Sequence, residues 1–171
     1  MTRFLPHLDA AYNLARWLMR NEHDAEDAVQ EAYLKAFRHQ AGFRGHDGRA
    51  WLLAIVRNTC YDRLKQGGVR DDSAFDERIH SVGQSNTNPE TSLLEKEKTE
   101  LLREVLEALS PEYREVLVLR ELEELSYVEI ASITKIPIGT VMSRLSRART
   151  QLQERFLQRA AGRNPDLQPS L

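Results

Sequence analysis

The sequence predicts an all-α protein: two small helical domains joined by a flexible linker. Three observations lead there. Apolar residues recur at helical spacing along most of the chain, as in Leu8 to Arg20 and Ile138 to Arg159. Helix start signals punctuate that pattern at intervals. Between them, "GGVRDDSAFDERIHSVGQSNTNP" (Gly67 to Pro89) is polar, loses the period and ends in Asn-Pro, the composition of a linker. With 171 residues, 41% of them hydrophobic, the chain can fill one ordinary domain or two thin-cored ones. Domains of about 65 residues are most simply built as helical bundles.

Taken in order, the first helix covers Leu8 to Arg20. Asp24 is the expected N-cap of the second, which runs to about His39, because its carboxylate can accept unpaired backbone N–H groups. "GFRGHDG" (Gly42 to Gly48) is a turn-rich break, and Asp47 caps a third helix, Arg49 to about Lys65. After the linker, Ser92 with Glu95 makes a capping box that restarts the helix. Ser110-Pro111 marks a further start, an N-cap with proline at the first helical position. Ser126 with Glu129 is a second capping box, for a short helix ending near Ile133. Pro137 precedes the last helix, Ile138 to about Arg159, and "GRNPDLQPSL" reads as a frayed tail. The expected domains are residues 1–66 and 92–161, with 67–91 as linker and 162–171 as a disordered tail.

Total charge is −2 and says little, but its distribution is informative. From Ile138 onward there are six basic residues against two acidic, while residues 67–100 and 101–137 each hold four against eight. A short helix, a turn from Thr134 to Pro137 and a long helix have the outline of a helix-turn-helix. On the long helix Val141, Leu145, Ala148 and Leu152 share one arc. Thr140, Ser143, Arg144, Arg147 and Gln151 share the opposite one. Hydroxyls, an amide and guanidiniums are the groups that read base edges and phosphates in a major groove. Arg149 lies on the flank, better placed for phosphate. Arg155, Arg159 and Arg163 read as general electrostatics.

The first domain carries two further faces. On the helix from Asp24 to His39, Ala25, Val29, Ala32, Tyr33, Ala36 and Phe37 form the apolar arc, while Asp24, Asp27 and Glu31 project away with Gln30 at their edge. Carboxylates near a helix N-terminus favour its macrodipole, which alone can account for them. On the next helix Trp51, Leu52, Ile55, Val56 and Thr59 form the buried side. Arg57, Asn58, Tyr61 and Lys65 gather on the other, expected to be exposed. A cation, an amide and an aromatic suit single-stranded nucleic acid; an ordinary solvated face is equally open on the residues alone.

"LSPEYREVLVLRELEELSYVEIASITKIPIGTVMSRLSRAR" (Leu109 to Arg149) resembles region 4 of bacterial sigma factors, in particular the extracytoplasmic-function (ECF) type. "DAEDAVQEAYLKAFR" (Asp24 to Arg38) and "FRGHDGRAWLLAIVRNTCYDRLK" (Phe43 to Lys65) resemble sigma region 2. The resemblance implies a sigma region 2 bundle followed by a sigma region 4 helix-turn-helix. It also implies that Asp24, Asp27, Gln30 and Glu31 contact core RNA polymerase. Ser143, Arg144 and Arg147 become base or near-base contacts in the minus-thirty-five promoter element. Asn58 matches the position that captures a flipped base, beside Arg57, Tyr61 and Lys65 in minus-ten recognition, with Phe43, Arg44 and His46 on the adjoining loop. The partners implied are core polymerase, promoter DNA and an anti-sigma factor, with the acidic linker threading along polymerase. Two positions depart from the family pattern: Lys135 stands where the turn often has glycine, and Met142 where a basic residue is common.

Other classes fit poorly. The single cysteine, Cys60, allows no internal disulfide and suits a reducing compartment. His7, His23, His39, His46 and His80 show no metal spacing, and "GFRGHDG" lacks phosphate-loop spacing. No cofactor, metal or catalytic residue is expected. No apolar run approaches a membrane span, so the protein reads as cytoplasmic. The alternatives to a sigma factor are a free-standing helix-turn-helix regulator of operator DNA and a module that sequesters another factor.

Overall fold

The structure, a computed structural model, describes residues 4–67 and 89–163. Every regular element among them is helical. After a turn of 3-10 helix at Leu5–His7, α1 spans Leu8–Met19 and buries Ala10, Ala11, Leu14, Ala15 and Leu18 along one stripe. Arg20 ends it in the left-handed conformation, φ 60°. Two residues later α2 runs Glu22–His39. Its N-cap is Asn21, not Asp24: the Asp24 N–H donates to Asn21 Oδ1 at 3.0 Å. Asn and Asp cap about equally well, so the point where the chain turns extended decides between them. Asp47 caps α3 (Gly48–Gln66) as expected, accepting from the Ala50 N–H at 3.1 Å.

These three helices pack together, and alanines let them approach closely: Ala11, Ala15, Ala25, Ala28, Ala32 and Ala36 are all buried. Phe4 packs on Trp51, centroids 5.2 Å apart, and Phe43 packs on the same indole at 4.8 Å. Cys60 is buried, and burial pushes its thiol up to about 12 against the opposing pull of Arg63, so it is inert at neutral pH.

The expected linker lies almost wholly in residues 68–88, outside the described ones. The chain is helical again from Pro89, three residues before Ser92, so α4 (Pro89–Ala108) starts on proline and Ser92 stands inside it. Proline is pre-set for a first helical turn and has no N–H to cap. Next, α5 covers Pro111–Leu117, with Ser110 as its N-cap and proline in the first turn. It widens into a π-helical turn, Val118–Leu122, that sequence periodicity does not foresee. The Ser126/Glu129 capping box is complete at 2.7 and 3.2 Å and opens α6 (Tyr127–Thr134).

Lys135 closes α6 in the left-handed region, φ 55° and ψ 40°. That conformation costs a non-glycine residue about 1–2 kcal/mol, which explains the glycine common at this position. Part of the gain from glycine is returned as chain entropy. Lys135→Gly is therefore expected to stabilise the protein by about 1 kcal/mol or less, read as a rise in thermal midpoint of a few degrees.

The last helix, α7, runs Ile138–Arg163, past the expected end near Arg159. Glu104 of α4 accounts for the extension, pairing with Arg159 at 3.1 Å and Arg163 at 2.8 Å. Those two arginines hold the helix end and are more than general electrostatics. Residues 164–171 lie outside the described ones.

The two halves pack against each other. The third helix lies between α1 and α2 on one side and α6 on the other, and α1 also meets α5. Buried apolar residues of both halves form one continuous cluster. Carbonyls at the C-terminus of α4 collect guanidiniums from three elements: Arg20 and Arg114 on the Glu107 carbonyl at 3.2 and 3.4 Å, and Arg155 on that of Ala108 at 2.6 Å. Burial, then the neighbouring Arg20, lowers the Arg114 guanidinium to about 10.

Candidate nucleic-acid and polymerase interfaces

The arginine face of α7 stands on a well-anchored helix. Val141, Leu145 and Ala148 are buried against α5 and α6. That orientation leaves Ser143 and Arg147 exposed and Thr140, Arg144 and Gln151 half-buried, on the outward arc the periodicity predicts. Ser143 Oγ donates to the Thr140 carbonyl at 3.1 Å, a local bond that a base or phosphate can replace. Arg149 is held by Glu121 through Nε at 3.0 Å and Nη2 at 2.7 Å. Both partners are about half exposed, and such a surface pair yields readily to a phosphate.

The outer side of α2 carries its four predicted residues, with Gln30 exposed and Asp24, Asp27 and Glu31 half-buried. Asp27 lies 3.5 Å from His23. Glu31 bridges Lys35 and Arg63, each at 2.9 Å. The Lys35 hydrogen bond, then that of Arg63, holds the Glu31 carboxyl below the usual range, against slight burial. This residue thus also fastens α2 to α3.

The face of α3 departs from expectation. Arg57, Asn58 and Tyr61 are half-buried, and only Lys65 is exposed. Arg57 grips Glu115 of α5 bidentately, Nε to Oε2 at 2.7 Å and Nη2 to Oε1 at 3.1 Å. Its guanidinium lies 4.4 Å from the centroid of the Tyr61 ring. Glu115 is fully buried; burial raises its carboxyl, opposed by Arg57 and also by Arg144 of α7. The same burial, with Glu115 beside it, pushes the Tyr61 phenol up. Amphipathic side chains of this kind can turn inward when a buried carboxylate meets their charge. Likewise Phe43 is occupied by Trp51, while Arg44 and His46 stay exposed on the loop.

A second clasp escaped the sequence reading. Glu123, next to the π turn, takes Arg49 Nη2 at 2.8 Å and Asn13 Nδ2 at 3.2 Å. Its own carbonyl accepts from Arg49 at 2.9 Å. The first clasp had one signal in the sequence: Glu115 is an acid followed directly by the apolar run Val116 to Leu119.

Residues 4–69 match the family model for Sigma-70 region 2, and residues 99–152 that for Sigma-70 region 4. The ECF RNA polymerase sigma-E factor of Escherichia coli is 36% identical over 140 residues, spanning 77% of this chain and 73% of that protein. The chain belongs to the ECF family of RNA polymerase sigma factors. The ECF sigma-E factor of Haemophilus influenzae is 35% identical over 84% of this chain and 79% of its own. The ECF sigma factor SigE of Mycolicibacterium smegmatis is 34% identical over 86% of this chain, a match spanning 58% of that protein. Among solved structures, the sigma factor RpoE in complex with the anti-sigma factor NepR from Bartonella quintana aligns with a TM-score of 0.72 and 31% identity, covering 91% of this chain and 94% of that one. CnrH in complex with the cytosolic domain of CnrY, at 23% identity and a TM-score of 0.61, shares the fold.

As an ECF sigma factor the protein binds core RNA polymerase and directs promoter-specific initiation, which removes the free-standing regulator. Sigma factors are initiation factors, not enzymes. No described helix is long and apolar enough to cross a membrane.

Proposed function

We propose that the sigma activity is divided among three faces. Asp24, Asp27, Gln30 and Glu31 on α2 dock on core RNA polymerase. Thr140, Ser143, Arg144, Arg147 and Arg149 on α7 read the duplex minus-thirty-five element. Arg57, Asn58, Tyr61 and Lys65 on α3 hold the opened minus-ten strand once α5 and α6 move off them. Residues 1–66 and 92–161 act as two domains, 67–91 as the connection between them and 162–171 as a tail. The chain performs no catalysis and works in the cytoplasm. An anti-sigma factor is its natural antagonist, as NepR is the partner of the Bartonella sigma factor in its solved complex. The observation that carries the reading is the outward arc of α7, where hydroxyls and guanidiniums stand clear of a helix anchored by Val141, Leu145 and Ala148.

Binding of the labelled protein to core polymerase tests the docking face. Asp27→Lys is expected to weaken that binding by roughly tenfold or more, since like charge against a basic partner costs several kcal/mol. Glu97→Lys makes the same charge change on the exposed surface of α4 and is expected to change nothing. Equal affinities for both variants would refute the assignment.

A further inference from the structure

Between Ile138 and Arg149 the exposed residues of α7 are Ile138, Gly139, Met142, Ser143, Ser146, Arg147 and Arg149. At about 100° per residue, Arg147 and Arg149 bound an arc of about 160° that contains Met142, Ser143 and Ser146. Hydroxyls with a guanidinium at each edge suit DNA, but Met142 adds a different chemistry. It is 53% exposed, Ile138 one turn earlier is 44% exposed, and both lie outside the core cluster. Residues four apart on a helix are neighbours, so the two form an apolar ledge beside the hydroxyls.

The surroundings decide what that ledge meets. From Ile138 to Gln153 the helix carries three arginines and no acid, so a polyanion is the matching partner. In a helix-turn-helix the N-terminal residues of the second helix reach the base edges, and Met142 is the fifth residue of α7. Those edges present hydrogen-bonding atoms in the major groove, and thymine alone adds a methyl group. Methionine is unbranched and polarisable, so it can follow such a methyl where a stiffer side chain could not. A basic residue at this position would take a phosphate instead, a contact that carries no sequence information.

We propose that Met142 is a specificity-determining residue that reads a thymine methyl in the minus-thirty-five element. The inference rests on the duplex-reading role assigned above to α7. The hydroxyls and guanidiniums supply the polar contacts, and Met142 separates thymine from bases that lack the methyl.

The test uses holoenzyme assembled from the full chain and core polymerase. Promoters are first recovered by transcription from a library randomised through both promoter elements. In a recovered promoter each thymine of the minus-thirty-five element is then replaced in turn by deoxyuridine. That change removes the methyl and leaves every hydrogen-bonding group in place. At one thymine, or two neighbouring ones, wild-type holoenzyme is expected to lose roughly fourfold in promoter affinity, the value of burying one methyl. Met142→Ala holoenzyme is expected to bind the thymine and uracil promoters equally. Met142→Arg is expected to be equally blind to the methyl, with a steeper salt dependence. Retained binding to core polymerase shows that each variant is folded. Indifference of the wild type to uracil at every position would overturn the proposal, as would undiminished uracil sensitivity in Met142→Ala. The assignment of α7 to the promoter fails separately, if the variant with both Arg144→Ala and Arg147→Ala recovers the wild-type sequences from the library.

Discussion

Replacing Arg144 and Arg147 together with alanine is expected to abolish promoter-directed transcription by the holoenzyme while leaving its assembly intact. Each guanidinium that reads a base edge or phosphate is worth about 1–3 kcal/mol, so losing two lowers promoter affinity by roughly a hundredfold or more. The side chains do not carry the fold. Arg147 is exposed, and Arg144 lies half-buried on the outward arc, away from Val141, Leu145 and Ala148. Run-off transcription beside a polymerase pull-down separates the two effects. Normal transcription from the double variant would show that α7 does not read the promoter.

The second large effect comes from the opposite side of that helix. Leu145 is 1% exposed and packs where α7 meets α5 and α6. Leu145→Ala is expected to cost about 2–5 kcal/mol, the range for removing a buried leucine, and to lower the thermal midpoint by several degrees or more. Promoter duplex binding should fall with it, because the arginines are only as well placed as the helix that presents them. Core polymerase binding, assigned above to α2, is expected to survive, since α7 packs on α4, α5 and α6. A stability loss below about 1 kcal/mol would mean that α7 is held by something other than this contact.

Local signals in the sequence proved informative. Asp47 and the Ser126/Glu129 box mark their helices because a cap is satisfied within three residues of itself, and Ser110-Pro111 marks its helix because proline is pre-set for the first turn. The inward arc of α7 was legible for a similar reason: its period comes from the helix and needs no knowledge of what covers it. What stayed hidden depended on distant partners. The face of α3 looked free because its partner, Glu115, lies 58 residues away, and α7 looked shorter because Glu104, 59 residues from Arg163, extends it. Near misses such as Asn21 for Asp24 show the other limit: equivalent chemistry at neighbouring positions leaves the backbone to choose.

The π turn at Val118–Leu122 bears on which residues of this stretch correspond between relatives. Glu115 and Glu123 stand eight residues apart, which on a regular helix places them about 80° out of phase. One residue absorbed in the wide turn reduces the effective separation to seven and the offset to about 20°. Both acids then look toward the same neighbour. A version one residue shorter, with the turn relaxed to ordinary helix, keeps that aim. Angular position, rather than residue count, is what sequence alignments through this stretch must preserve.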